Sequence, residues 1–257
     1  MKVSERVGNG SLSTRPAPTK VASWGWLGGF LLIGTGVVVM GYLAQNAPAS
    51  GGSAAASHQL ASHSQGIRIY LTVMGMDWAL LYYCWAGVHR FGGNLATLSG
   101  ERWMSWKSVI VDLAIALPFW ALWEGAAYAV HWLLELGAPG SGVARTVDSL
   151  LPKSPMEIIL WIGLSLTAGI CEEMAFRGFL QKQFHALSGN ITAAVVSQGV
   201  VFGLFHAYQG WRNVVVIAVL GVLYGALAAW RGNLRANILS HAWSDIWEGW
   251  LKFAILR

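Results

Sequence analysis

The sequence predicts an all-α fold, a polytopic transmembrane helical bundle of about seven helices, and three observations predict it. Of 257 residues, 55% are hydrophobic and only 11% charged, whereas soluble domains carry about 25% charged residues. The mean hydropathy is +0.49. Apolar runs recur along the chain, each near or above the ~20 residues that cross a bilayer as helix.

The elements follow in order. Residues 1–23 hold Lys2, Arg6, Arg15 and Lys20 against Glu5 alone and read as a disordered basic tail in the cytoplasm. Spans are expected at about 24–43, 68–88, 107–134, 156–187, 191–208, 213–230 and 236–255. A re-entrant or split segment would make eight. The first span precedes an Ala/Ser-rich stretch, as a signal peptide would, but its apolar run exceeds a usual h-region and predicts an uncleaved anchor. The connection 44–66, with His58 and His63, is Ala/Ser/Gly-rich and reads as a flexible loop. The connection 135–155 holds Pro139, Gly140, Gly142, Pro152 and Pro155. Two membrane units are expected: N-terminal helices over 24–150, which carry no recognisable motif, and a second unit over 151–257.

Charge and cysteines narrow the class. The net charge of +5 comes from lysines and arginines at the ends of apolar runs, with no aromatic-interleaved basic patch, so no nucleic-acid partner is expected. With the tail in the cytoplasm, the basic residues at span ends favour an internal N-terminus and an external C-terminus. Cys84 and Cys171 lie in apolar runs and imply no disulfide framework. Trp24, Trp26, Trp103, Trp106, Trp211 and Trp230 sit near span ends and read as interfacial anchors. Asp77, Asp112 and Glu124 read as polar contacts between helices, and Glu124 with His131 as a minor rival site.

The chemistry concentrates late in the chain. Ionisable groups at membrane depth cost roughly 2.5–3.5 kcal/mol each on insertion scales and usually serve function. Glu172 and Glu173 are adjacent within an apolar stretch. Glu173 and Arg177 are four apart in the favourable acid-to-base order for an ion pair, and Glu172 is turned about 100° from them. Glu172 is therefore the carboxylate left to face a polar cavity. Phe202 and His206 are one turn apart in the next span, and His241 and Asp245 one turn apart in the last. Together these groups could activate a water and stabilise an oxyanion, or hold a divalent metal. One depth mismatch stands against the joint site. At ~1.5 Å per residue, Glu172 lies ~22 Å from the end of its helix and His206 ~22 Å from the start of the antiparallel next one, so those two match, whereas His241 lies only ~8 Å into its own.

Three ordered motifs, Glu172-Glu173-Met174-Ala175-Phe176-Arg177, Phe202-Gly203-Leu204-Phe205-His206 and His241-Ala242-Trp243-Ser244-Asp245, resemble the EExxxR, FxxxH and HxxxN/D signatures of the CPBP family. These are intramembrane proteases related to the CAAX prenyl endopeptidase and the abortive-infection proteins. The resemblance covers about residues 155–250 and makes 151–257 a CAAX-protease-like catalytic membrane domain. It implies an endopeptidase of the cell membrane, bacterial inner or plasma membrane in type, acting on a membrane-associated, prenylated or bacteriocin-like peptide within the bilayer. It implies Glu172 as general base with His206 orienting the water, His241 and Asp245 as oxyanion stabilisers, and Glu173 with Arg177 as support. A divalent metal, zinc, held by Glu172, His206 and His241 is the metalloprotease form of the same reading. The prenyl-protein enzymes of eukaryotes have asparagine where Asp245 stands. Asp245 is then protonated, or orients His241, or helps bind a metal. The alternatives are a catalytically silent membrane scaffold or regulator, and a proton-coupled transporter. No HExxH, GxSG or GxGD occurs, against the other intramembrane protease classes.

Overall fold

The computed structural model describes residues 20–45, 55–100, 105–137 and 151–255. Most of the basic tail, Trp103 and most of the connection at 135–155 lie outside the described residues. Helix α1 spans Trp24–Gln45, α2 Ala55–Arg90, α3 Leu95–Ser99 and α4 Trp106–Gly137. Helix α5 spans Pro155–Glu172 and runs without a break through a π-helical segment, Glu173–Leu180, into α6, Gln181–Ser188. Helix α7 spans Ile191–Phe205, a 3-10 turn Ala207–Gln209, α8 Trp211–Arg231 and α9 Arg235–Ile255.

Each expected span coincides with a long helical stretch. Four are long and apolar enough to cross a membrane: Trp24–Leu43, Trp106–Glu135, Pro155–Ser188 and Trp211–Arg231. Helix α7 is apolar but has only 15 residues, and α2 and α9 carry more polar side chains. The described residues are thus those of a helical, multi-pass membrane protein, and among them four crossings meet that measure against the seven or eight expected. The expected flexible loop at 44–66 is corrected from residue 55 onward. Ala55 to Gln65 contains no proline or glycine and is rich in good helix formers, and it extends α2 by a third.

Helix α5 opens on recognisable signals. Ser154 caps α5 by accepting the backbone N–H of Glu157, with Pro155 at the first helical position. Helices α7 and α8 approach most closely through small residues: a Cβ at Gly203 would lie 2.5 Å from the carbonyl oxygen of Val214, and one at Gly221 would meet the backbone of Gly199. The short α3, capped by Asn94 and Thr97 in a reciprocal box, presses buried Leu98 onto the π-helical segment. A Cβ at Gly178 there would lie 2.6 Å from the Leu98 carbonyl oxygen.

Basic residues gather at one end of the bundle. Lys20 lies over the rings of Trp24 and Phe91, and Arg90 over Trp26. Lys182 donates to the Thr97 carbonyl at 2.6 Å. Buried Asp112 takes Arg231 on Oδ1 and Arg235 on Oδ2, each at 2.7 Å. The Leu234 N–H donates to Ser99, so α9 begins inside the protein, with Leu234, Ala236 and Asn237 buried. Of the expected anchors, Trp24, Trp106, Trp211 and Trp230 are exposed, while Trp26 packs on Tyr83.

Candidate active site

The site is built on the π-helical segment, whose residues Glu173 to Leu180 are all buried. Such segments are rare and recur at functional sites. Glu173 Oε1 pairs with Arg177 Nη1 at 3.0 Å, and neither side chain is exposed. That contact is the one expected from the sequence. Glu173 also does what the spacing did not reveal. Its Oε1 accepts His241 Nδ1 at 2.9 Å, and its Oε2 accepts Asn237 Nδ2 at 3.1 Å. Asn237 donates in addition to the Tyr224 carbonyl at 2.8 Å. One buried carboxylate therefore joins Arg177, Asn237 and His241, which satisfies the pairing that a buried charge requires.

The Arg177 guanidinium is held between two aromatic faces, 4.4 Å from the Phe202 ring centroid and 5.5 Å from that of Tyr224. Cation–π contact with desolvated rings adds to the ion pair. The phenylalanine of the second motif thus supports the arginine of the first, and the Phe202 ring lies 4.9 Å from His206 and 6.4 Å from His241. Tyr224 donates its hydroxyl to Ser240 at 2.9 Å.

With Nδ1 committed to Glu173, His241 turns Nε2 toward two carboxylates: Glu172 Oε2 at 3.9 Å and Asp245 Oδ2 at 3.8 Å. Both distances exceed hydrogen-bond length. The Glu172 side chain is 16% exposed and that of Asp245 36%, against none for Glu173. The two adjacent glutamates occupy different environments, one locked in the core and one at the rim of the cluster. His206 sits at the C-terminal cap of α7 with Nδ1 donating to the Phe202 carbonyl at 2.8 Å, which leaves Nε2 as the ring's other polar atom. Among the described residues it makes no ion pair with Glu172 or Asp245; it reaches the cluster through Phe202 and stacks near Tyr208 at 6.2 Å.

The depth mismatch resolves through the start of α9. His241 lies in the second turn of that helix, but Ala236, Asn237 and Ser240 of its first turns are buried, the helix packs on α4 and α5, and the His241 ring meets Glu173 at 2.9 Å, so a short count from the helix start still reaches the site. Asn237, Tyr208 and Asp77 were missed. Asn237 precedes His241 by one turn, a readable signal. Tyr208 and Asp77 lie within Coulombic reach of Glu172, a relation across helices that spacing cannot show. The rival pair dissolves: Glu124 accepts from Trp120 Nε1 at 3.0 Å and from Ser244 Oγ at 3.1 Å, not from His131.

Among the described residues no group of three or more His, Cys, Asp or Glu side chains is arranged to hold a metal ion. Glu172 and His241 converge, while His206 stays with Phe202, so the donors as arranged do not fit a tetrahedral zinc centre.

Buried paired charges, a partly exposed carboxylate and two imidazoles form one polar centre inside an apolar, multi-pass helical bundle. Residues 154–247, the segment that carries the three motifs, match the family model described as type II CAAX prenyl endopeptidase Rce1-like. No curated protein and no solved structure matches the chain.

Proposed function

We propose that the chain is an intramembrane endopeptidase that hydrolyses a peptide bond of a prenylated, membrane-anchored C-terminal peptide with a water activated by Glu172. The observation that carries this reading is the separation of the two glutamates. Glu173 holds His241 by Nδ1, while Glu172 faces His241 Nε2 across 3.9 Å, a span that a water hydrogen-bonded to both can bridge. A carboxylate only 16% exposed, at the rim of an apolar cluster, is placed to accept a proton.

In the step so defined, Glu172 takes a proton from the water as its oxygen bonds to the scissile carbonyl carbon. The oxyanion is met by Nε2–H of the doubly protonated His241 ring, whose charge Glu173 and Asp245 balance. Asp245 thus serves the imidazole rather than the oxyanion, which accounts for a carboxylate standing where an amide donor occurs in related enzymes. Collapse breaks the C–N bond, and Glu172 passes its proton to the leaving amine. His206 orients the water through Nε2. The apolar helices of 24–150 supply the wall against lipid.

The prenylated substrate class rests on the family match over 154–247. The cytoplasmic side of the N-terminus rests on the basic end of the bundle, where Lys20, Arg90, Lys182, Arg231 and Arg235 gather. The test is cleavage of prenylated and unprenylated peptides by purified protein and by Glu172→Ala, with and without chelator. Cleavage that Glu172→Ala abolishes and chelator spares supports this reading. Loss on chelation assigns the water to a metal, and no cleavage of either peptide favours a scaffold.

A further inference from the structure

Asp77 is partly buried, and it differs from the buried, paired carboxylates Asp112 and Glu173. The comparison with Asp112 is direct, since both are aspartates in apolar helices. Asp112 has each oxygen on an arginine at 2.7 Å, the pattern of a residue that ties helices together. Asp77 Oδ2 is buried with no hydrogen-bond partner among the described residues, and Glu172, His241, Asp245, Cys171 and Tyr208 all lie within Coulombic reach of it.

The packing of α2 on α5 explains the position. Gly66 lies against Glu157, Tyr70 against Trp161 and Met74 against Gly163, so the residue numbers rise together and the two helices run parallel. Three residues beyond Met74, Asp77 comes level with roughly the helical turn that precedes Glu172. Helices α1 and α3, which also meet α2, contain no acidic or basic residue.

An acid beside two other acids in an apolar bundle is unfavourable for stability, so helix packing does not explain it. A buried acceptor needs a donor, and the substrate brings one. An extended peptide drawn into the membrane interior must have its backbone N–H groups satisfied by the protein, because no solvent does so there.

We propose that Asp77 is a substrate-binding residue of this site, its Oδ2 accepting a backbone N–H of the bound peptide next to the scissile bond. The proposal rests on the protease reading above. It gives the N-terminal helices a share in the site, since α2 then supplies one wall of the substrate channel.

The test is an ester scan. An S-farnesyl peptide ending in Cys-Val-Leu-Ser, a prenyl motif of the farnesyl type, is made with each backbone N–H replaced in turn by an ester oxygen, outside the scissile bond. Cleavage is measured with wild type, Asp77→Ala and Asp77→Asn in detergent, and binding of the same peptides with Glu172→Gln and Glu172→Gln/Asp77→Ala. Asp77→Ala is expected to lower kcat/KM roughly 10- to 100-fold, mostly through KM, in line with an N–H left without its acceptor. Asp77→Asn is expected to recover most of that loss, because its carbonyl oxygen accepts the same N–H. One ester position should weaken wild type by a similar factor and leave Asp77→Ala unchanged. Equal loss at every ester position in both proteins, or an Asp77→Ala protein that matches wild type, would overturn the proposal. If Asp77→Ala does not fold, the wild-type scan against Asp77→Asn decides, since a flat wild-type scan also overturns it. If wild type cleaves nothing, proteolysis fails as a reading, and the binding arm decides Asp77 alone: no peptide bound, or equal binding with and without Asp77, overturns it.

Discussion

Glu173 accepts the Nδ1 proton of His241 at 2.9 Å, and that contact joins two motifs 68 residues apart into one site. It fixes which imidazole nitrogen faces the substrate side. It also makes Glu173 the acceptor shared by Arg177, Asn237 and His241, so the residue next to the proposed base has a structural task of its own.

Glu173→Ala should therefore be a folding variant before it is a catalytic one. It leaves Arg177 buried without its counter-charge and releases His241. Breaking a buried pair by removing one partner destabilises by about 3–5 kcal/mol. Thermal unfolding in detergent checks this, with Glu172→Ala as the comparison expected to unfold within a degree or two of wild type.

Asn237→Ala removes two hydrogen bonds from the same hub, to Glu173 and to the Tyr224 carbonyl. A loss of about 1–3 kcal/mol is expected from the acceptors left buried. Asn237→Asp should be worse than alanine, because it sets an acceptor-only group against Glu173. Denaturation midpoints of the two variants order them.

Phe202→Ala should damage stability and catalysis together. It strips the ring from the face of Arg177 and from the packing around Phe176, 4.7 Å away. Buried Phe→Ala changes cost about 3–5 kcal/mol. Phe202→Tyr keeps the ring, and recovery of the unfolding temperature by that variant checks the cation–π account.

Gly178 reports on the close approach of α3. Gly178→Ala places a methyl 2.6 Å from the Leu98 carbonyl oxygen, and backbone cannot swing aside as a side-chain tip can. Overpacking of this kind costs about 1–3 kcal/mol, read by the same unfolding measurement. Gly28, where an added Cβ meets nothing within 4 Å, is the neutral control.

Much of this was legible in the chain because it is local. The apolar runs mark each long helix to within a few residues, apart from the early start of α2 and the end of α7, and the four-residue spacing of Glu173 and Arg177 announces their pair. What was not legible crosses helices. The Glu173–His241 contact depends on how α9 packs on α5, and nothing in the sequence near Arg235 says that Ala236, Asn237 and Ser240 are buried. Asp77 read as a helix–helix contact because an isolated acid in a span carries no sign of which neighbour it faces. The loop expected at 44–66 failed because an Ala/Ser-rich stretch serves a linker and a helix equally well, and here α2 takes it from Ala55 onward.

The central claim is that Glu172, and not Glu173, activates the water. The most direct measurement is mass-spectrometric detection of the cleaved prenyl peptide with purified wild type, Glu172→Gln and Glu172→Ala, each shown to be folded by its unfolding temperature. General-base catalysis is worth about 10²–10⁴ in rate. Both variants should fall by at least the lower figure while unfolding as wild type does. Product formed by folded Glu172→Ala at the wild-type rate would contradict the account.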